Sequence, residues 1–334
     1  MRRGLIGVAL LVVALGAHPA AAAFAPLNQP GPRLSIPQKE LKASLSCTDG
    51  VRNADREPVL LIPATTVNSR QNFGWNYEPA LRHQHIPYCT TDMPGDLQFN
   101  MGDMQTRGEY VTYAIRRVHA MAGRRIAVMG HSQGGMIMRW PLRFWPGTRR
   151  MVRDVIGFAG TNHGSALVPG FCLTSCAPAL WQQRDDAMFI RALNSGQETF
   201  GGIDYTEVYS HLDEFVQPNL DDSGTSSLHG PGRITNVALQ DICPLDTSEH
   251  LLIGITDPVA WAIALDALTH RGPADTGRID PGVCGKVFMP GVDKLTGPVD
   301  LAGASEQVAL QLNIAPKVDA EPELRCYVTA SCQR

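Results

Sequence analysis

Gly130-His131-Ser132-Gln133-Gly134 is a G-x-S-x-G sequence, set where an apolar run from Arg125 to Gly130 ends and a helical stretch to about Arg143 begins. A strand-to-helix turn this tight needs small residues on both sides of its serine, and Gly130 and Gly134 supply them. Such a turn lifts the Ser132 hydroxyl clear of the backbone and aims the next amide, that of Gln133, at the oxygen of an attacked carbonyl. A serine hydroxyl is a weak nucleophile until a base takes its proton, so an acid and a histidine must follow it in the chain. His18, His83, His85 and His119 precede the serine and His131 adjoins it, which leaves His163, His211, His229, His250 and His270. His250 leads, because it sits in a loop-like segment from Cys243, after a strand and ahead of an amphipathic helix. Asp213 leads among the acids because it ends the strand from Tyr205, with Asp221, Asp222, Asp241 and Asp246 competing. His163, in Asn162-His163-Gly164 just past another strand, is the alternative histidine.

These side chains need a frame. Pro58-Val-Leu-Leu-Ile-Pro63 is a continuous apolar run between breakers, which suits a strand buried on both faces of a parallel sheet. Ile86 to Asp92, Arg125 to Gly130, Val152 to Ala159, Tyr205 to Tyr209 and Ile234 to Leu239 read as further strands. Between them, Asp103 to Met121 has helical spacing closed by Gly123, and Thr256-Asp257-Pro258 opens an apolar helix to about His270. Alternation of this kind predicts an α/β fold with a mostly parallel central sheet flanked by helices. Residues 164–202 break the alternation and read as a lid-like insertion, with Ala179 to Leu193 helical. Residues from about 285 to 334 read as a strapped-down C-terminal extension with a helix over Leu301 to Leu312.

The 334 residues are 44% hydrophobic and 18% charged, a globular balance. Arg2 and Arg3, the apolar run Leu5 to Ala17 and the alanines ending at Ala23 read as an export signal, too short to span about 30 Å of hydrocarbon. Residues 24–334 are then one secreted, extracellular domain. The net charge is −3, and without the first 23 residues 27 basic face 32 acidic side chains, so no basic excess points to nucleic acid. Eight cysteines with no C-x-x-C pair fit an oxidising destination. Eight thiols allow 105 connectivities. Spacing favours neighbour pairing: Cys47 with Cys89, Cys172 with Cys176, Cys243 with Cys284 and Cys326 with Cys332.

From about Cys47 to Cys284 the chain resembles the α/β-hydrolase lipase family of Candida antarctica lipase B, which includes secreted bacterial members. Ser132-Gln133-Gly134-Gly135, Trp181-Gln182-Gln183 and Asp213-Glu214-Phe215-Val216-Gln217-Pro218 stand in the family's order at similar spacing. The resemblance implies Ser132 as nucleophile, Asp213 as acid and His250 as base, with Thr65 and Gln133 as the oxyanion hole. It also supports the pairings Cys47–Cys89 and Cys243–Cys284. Departures stand beside it. The loop reads Pro63-Ala64-Thr65-Thr66 where the family has Pro-Gly-Thr, which leaves Thr65 and Thr66 both open as the hydroxyl donor. His131 takes the place of a fungal tryptophan, and the stretch around Cys172 and Cys176 is unlike the fungal chain.

The implied activity is serine hydrolysis of carboxylic esters, of triacylglycerol-lipase or carboxylesterase type, with no cofactor and no metal. A polyester hydrolase or an acyltransferase could use the same acyl-enzyme, and a catalytically silent surface-binding protein could keep the fold. Lipid or another ester, met at an oil–water interface by a monomer without stable membrane insertion, is the expected partner. Leu167, Val168, Phe171, Leu173, Leu180 and Trp181 of the insertion, with Leu251, Leu252, Ile253, Ile255, Val259 and Trp261 after His250, are the apolar residues available for an acyl pocket. Asp221-Asp222-Ser223-Gly224 lacks the alternating oxygens of a calcium loop and reads as a solvated turn.

Overall fold

A computed structural model describes residues 23–95 and 99–331. The predicted export signal and Cys332 lie outside the described residues, apart from Ala23 itself. Seven strands form one sheet in the order β1 (Leu45–Cys47), β3 (Tyr88–Thr91), β2 (Val59–Ile62), β4 (Ile126–His131), β5 (Val152–Phe158), β6 (Asp204–Tyr209) and β7 (Arg233–Ala238). All pairings are parallel except that of β1, an antiparallel edge strand. The chain therefore has the helix-flanked, mostly parallel sheet expected from its alternating runs, and one compatible with the α/β-hydrolase fold that the resemblance implies. β1 was not foreseen, since three residues on an edge carry too little periodicity to register as a strand.

Alternate side chains of the central strands enter opposite cores, which is why β2 and most of β4 are continuous apolar runs. Leu60, Ile62, Ile126, Val128 and Val155 pack with the helix Met104–Ala122 and with Trp140. Val59, Leu61, Ala127, Met129 and Ile156 pack on the other side with the helix Pro258–Thr269. The first helix begins where the Asp103 carboxylate accepts from the Gln105 amide and ends at Gly123, in the left-handed region at φ 67°. The second is capped by Asp257, whose Oδ1 accepts from the Ala260 amide at 2.6 Å, with Pro258 at its first position.

Cys47 lies opposite Cys89 in the β1–β3 register, and the two are disulfide-bonded with Cα atoms 4.0 Å apart. Cys172–Cys176 and Cys243–Cys284 are also bonded. Cys326 is disulfide-bonded as well, its expected partner Cys332 being outside the described residues.

The single helix expected over Ala179 to Leu193 is instead two short ones, Pro178–Trp181 and Met188–Leu193. Side-chain demands break it. Gln182 is held by the Asp103 carboxylate and the Met104 amide, both at 2.7 Å, while Ser165 N–H reaches the Gln183 carbonyl at 2.9 Å. Six residues between the pieces are thereby pulled out of helical geometry. The C-terminal helix runs longer than foreseen, Gly297–Ile314. Beyond it, the Val318 backbone exchanges two hydrogen bonds with Cys176 (3.1 and 2.9 Å), and Arg325 pairs with Asp103 and Glu109.

Candidate active site

Ser132 follows β4 directly and sits at φ 56°, a conformation an L residue adopts only where the surroundings impose it. The surroundings do so: a Cβ on Gly134 would collide with the Ile62 carbonyl oxygen, so the turn closes only because residue 134 has none. Asp213 follows β6 and His250 follows β7, so all three side chains meet at the carboxyl ends of parallel strands, where such sheets place their clefts. His250 Nε2 is 3.0 Å from Ser132 Oγ, and His250 Nδ1 is 2.8 Å from Asp213 Oδ2. Asp213 Oδ1 takes the Phe215 and Val216 amides at 2.9 and 2.7 Å. Each oxygen of this buried carboxylate thus has a donor, the condition under which a buried charge is tolerated.

Burial is the largest influence on the His250 pKa and pulls it down. Asp213, through its charge and its hydrogen bond, acts together with Glu214 and Glu249 to outweigh burial and raise the imidazole above its ordinary 6.5. The loop before His250 is pinned twice: Ser210 Oγ donates to the Ser248 carbonyl, and Ser248 Oγ to Asp257 Oδ2, both at 2.6 Å. The arrangement can accept the Ser132 proton at Nε2 and stabilise the resulting imidazolium at Nδ1.

Across the serine lies the loop after β2. Thr65 Oγ1 accepts from Gln133 Nε2 and Gln183 Nε2, each at 3.2 Å, which fills its lone pairs and leaves its own hydrogen for a further acceptor. Gln183 Oε1, the nearest protein acceptor, is 3.5 Å away and already takes Thr161 Oγ1 at 3.1 Å. Thr66 differs: its amide donates to the Phe99 carbonyl at 2.7 Å and its hydroxyl to the Thr65 carbonyl. The Gln133 amide opens the helix Gln133–Ile137, so it has no intrahelical partner by position. Thr65 and Gln133 are thus brought into contact next to Ser132, and Thr65 lines the same cavity as the serine. Beneath them Arg107, fully buried, donates to Gln133 Oε1 and the Pro63 carbonyl. Burial depresses its pKa to about 9. Arg107 and Asn72 were missed in the sequence, because neither forms a local pattern and both act through contacts 8 to 182 residues away.

The other candidates lie elsewhere. His163 pairs with Glu198, His270 with Asp266, and His229 Nε2 meets the Asp222 carbonyl. His211 stands beside Tyr209. Asp221 closes its own turn by accepting from Ser223, Asp241 accepts from the Ala238 amide, and Asp246 from that of Ser248.

The row opens into an apolar cavity of about 390 Å³. Val168, Phe171 and Leu180 of the insertion and Leu251 and Ile255 after His250 line it. Ile253, Val259 and Trp261, also considered for it, are core residues instead. A wall not foreseen comes from the C-terminal helix, with Ala304, Val308 and Leu312. Its sequence looked like an extension because nothing local relates it to Ser132.

No protein-family model matches the chain. Over 303 residues it is 29% identical to lipase B of Pseudozyma antarctica, covering 89% of this chain and 86% of the relative. The crystal structure of Aspergillus fumigatus lipase B superposes with a TM-score of 0.79 at 29% identity, covering 90% of this chain and 74% of that one. With sequence and structure agreeing over nearly the whole chain, it is a homologue of the lipase B enzymes, a lipase/esterase-type hydrolase with the α/β-hydrolase fold.

Proposed function

We propose that the chain is a secreted serine carboxylic-ester hydrolase, lipase-like, that cleaves acyl esters through a Ser132 acyl-enzyme. The observation that carries this reading is the row Asp213, His250, Ser132 at 2.8 and 3.0 Å, opening into an apolar cavity. Ser132 Oγ attacks the ester carbonyl carbon as His250 Nε2 takes its proton. The oxyanion is held by the amides of Thr65 and Gln133 and by the Thr65 hydroxyl, each such donor contributing roughly 10²–10³ in turnover. The imidazolium then protonates the departing alcohol, leaving the acyl group on Ser132. Water deacylates it by the reverse route, while Asp213 stays ionised and orients His250.

Residues 1–23 act as the export signal, and 24–334 form one monomeric domain with residues 164–202 as a lid-like insertion and about 285–334 as an extension. The disulfides accord with an oxidising compartment. Exposed Phe171 at the cavity and exposed Leu173 two residues further on suit contact with an aggregated, lipid-like substrate at an oil–water interface.

The test uses residues 24–334 made under oxidising conditions, assayed on p-nitrophenyl butyrate, p-nitrophenyl palmitate and a triglyceride emulsion beside Ser132→Ala. Hydrolysis that vanishes in the variant is the expected result, and the long-to-short chain ratio grades lipase against esterase. Folded protein inactive on all three substrates, or a variant as active as the parent, would overturn the proposal.

A further inference from the structure

His131 and Asn72 form a second hydrogen-bonded row behind the first. The Ala64 amide, in the loop that carries Thr65, donates to Asn72 Oδ1 at 2.8 Å. That contact fixes the amide orientation, so Asn72 Nδ2 is the group facing His131 Nδ1 at 3.3 Å. Nδ1 must then be an unprotonated acceptor. On the other side of the ring, His131 Nε2 lies 2.9 Å from the His250 carbonyl oxygen, an acceptor only, so Nε2 carries the hydrogen. Both neighbours therefore demand one neutral tautomer. Gly254 packs on the same ring: a Cβ there would collide with His131 Cγ and Cδ2, so the helix His250–Ile255 rests directly on the imidazole.

We propose that His131 and Asn72 are a positioning pair: together they tie the oxyanion loop, the nucleophile turn and the backbone of His250 into one rigid unit. The inference rests on the reading of Ser132 and His250 given above. Its physical need is clear, since Thr65, Ser132 and His250 come from three different strand ends and only side chains can lock their spacing. Misplacement by about 1 Å costs on the order of 10²-fold in rate. His131 also has to stay uncharged while His250 is protonated, with the two ring centres 5.3 Å apart. Burial, seconded by the His250 charge, pushes its pKa down to about 3, so it does.

The test compares His131→Phe, which fills the ring's space without either hydrogen bond, His131→Gln, whose amide N–H can replace the donor to His250, and Asn72→Ala. Expected for His131→Phe is a fall in kcat of about 10- to 100-fold with KM within about twofold, because positioning acts on the transition state. Binding of an alkylboronic acid, whose adduct with Ser132 mimics the tetrahedral state, should weaken in parallel. His131→Gln should recover most of the kcat. Asn72→Ala should resemble His131→Phe, and the double variant should be no worse than the poorer single, since both break one unit. A kcat for His131→Phe within about twofold of the parent, or losses that multiply in the double variant, would overturn the proposal. Should His131→Phe not fold, Asn72→Ala decides alone through its rate of Ser132 labelling by an alkylphosphonate, and a normal rate is the overturning result. Ser132→Ala separates the two levels. Activity surviving in it sinks the Ser132 reading, whereas its loss together with an unimpaired His131→Phe sinks only the positioning pair.

Discussion

Two of the three histidine–carboxylate pairs among the described residues follow strands of the sheet and look alike in isolation. His250 meets Asp213 at 2.8 Å after β7, and His163 meets Glu198 at 2.9 Å after β5. What separates them is the second ring nitrogen. In His250 it faces Ser132 Oγ, a hydroxyl that can lose a proton. In His163 it lies 3.1 Å from the Thr225 carbonyl oxygen, a group with no proton to give, so the ring is a bridge between two acceptors. Their surroundings diverge too. Asp213 is tied to the chain beside the cavity, whereas Glu198 also takes the His229 amide and sits by Arg139, which spans Asn162, Asn194 and the Glu198 carbonyl. A histidine and an acid at hydrogen-bond distance are thus a common structural device, and the third partner decides whether they can do chemistry.

Removing the imidazoles tests that difference at its widest. His250→Ala should lower kcat by on the order of 10⁴-fold or more, because the Ser132 hydroxyl loses its base. His163→Ala should leave kcat within about twofold and lower the melting temperature, since it opens a structural bridge. The carboxylates repeat the contrast. Asp213→Asn should cost about 10⁴-fold through the wrong His250 tautomer, and Glu198→Gln should cost almost nothing in turnover. Steady-state kinetics on p-nitrophenyl butyrate with thermal melts checks all four, and a crippled His163→Ala that is still stable would erase the distinction.

The same contrast explains what the sequence could reveal. Strands β2 and β4 were legible because burial on both faces makes each a bounded apolar run, and Ser132 was legible because its turn demands glycines at 130 and 134. Placement in a loop between a strand and an amphipathic helix put His250 ahead of His163, although both follow strands. Only the resemblance to a family ranked them firmly, because the deciding contact, 118 residues apart in the chain, is tertiary. Arg107, Asn72 and the cavity wall from the helix Gly297–Ile314 were invisible for the same reason. Their roles depend on which distant atoms they reach, and no local period encodes that.

A base also needs donors facing the carbonyl it helps to attack, and in the proposed mechanism Thr65 and Gln133 supply them beside His250. Thr65→Val should lower kcat by roughly 10²-fold with little change in KM, because it removes a hydroxyl whose lone pairs are already filled by Gln133 and Gln183. Thr66→Val should cost far less, its hydroxyl being spent on the Thr65 carbonyl. Equal losses from the two would mean that the hydroxyl donor is not the one the hydrogen bonds single out.

The smallest effect is on stability, and there the two pairs should respond to pH in opposite senses. For Glu198 burial alone would raise the pKa, but the His163 hydrogen bond, Arg139 and the His229 amide together lower it to about 2. A depressed carboxylate stabilises the fold fully above its ordinary 4.5, and that contribution is lost as pH falls toward 2. The gap between the parent and Glu198→Gln, on the order of 1–3 kcal/mol at pH 6, should therefore shrink on acidification to pH 2. His250 is raised instead, so its ion pair with Asp213 stabilises the fold below pH 6.5 and fades as pH rises through the higher folded value. The gap between the parent and Asp213→Asn should narrow on going from pH 6 to pH 9, while the parent's kcat/KM climbs over the same interval as His250 becomes a free base. The pair at the site is thus most stabilising where it cannot catalyse, and chemical denaturation at three pH values beside a pH–rate profile would reveal whether that opposition holds. Parallel trends in the two gaps would mean that His250 and His163 are both structural bridges after all.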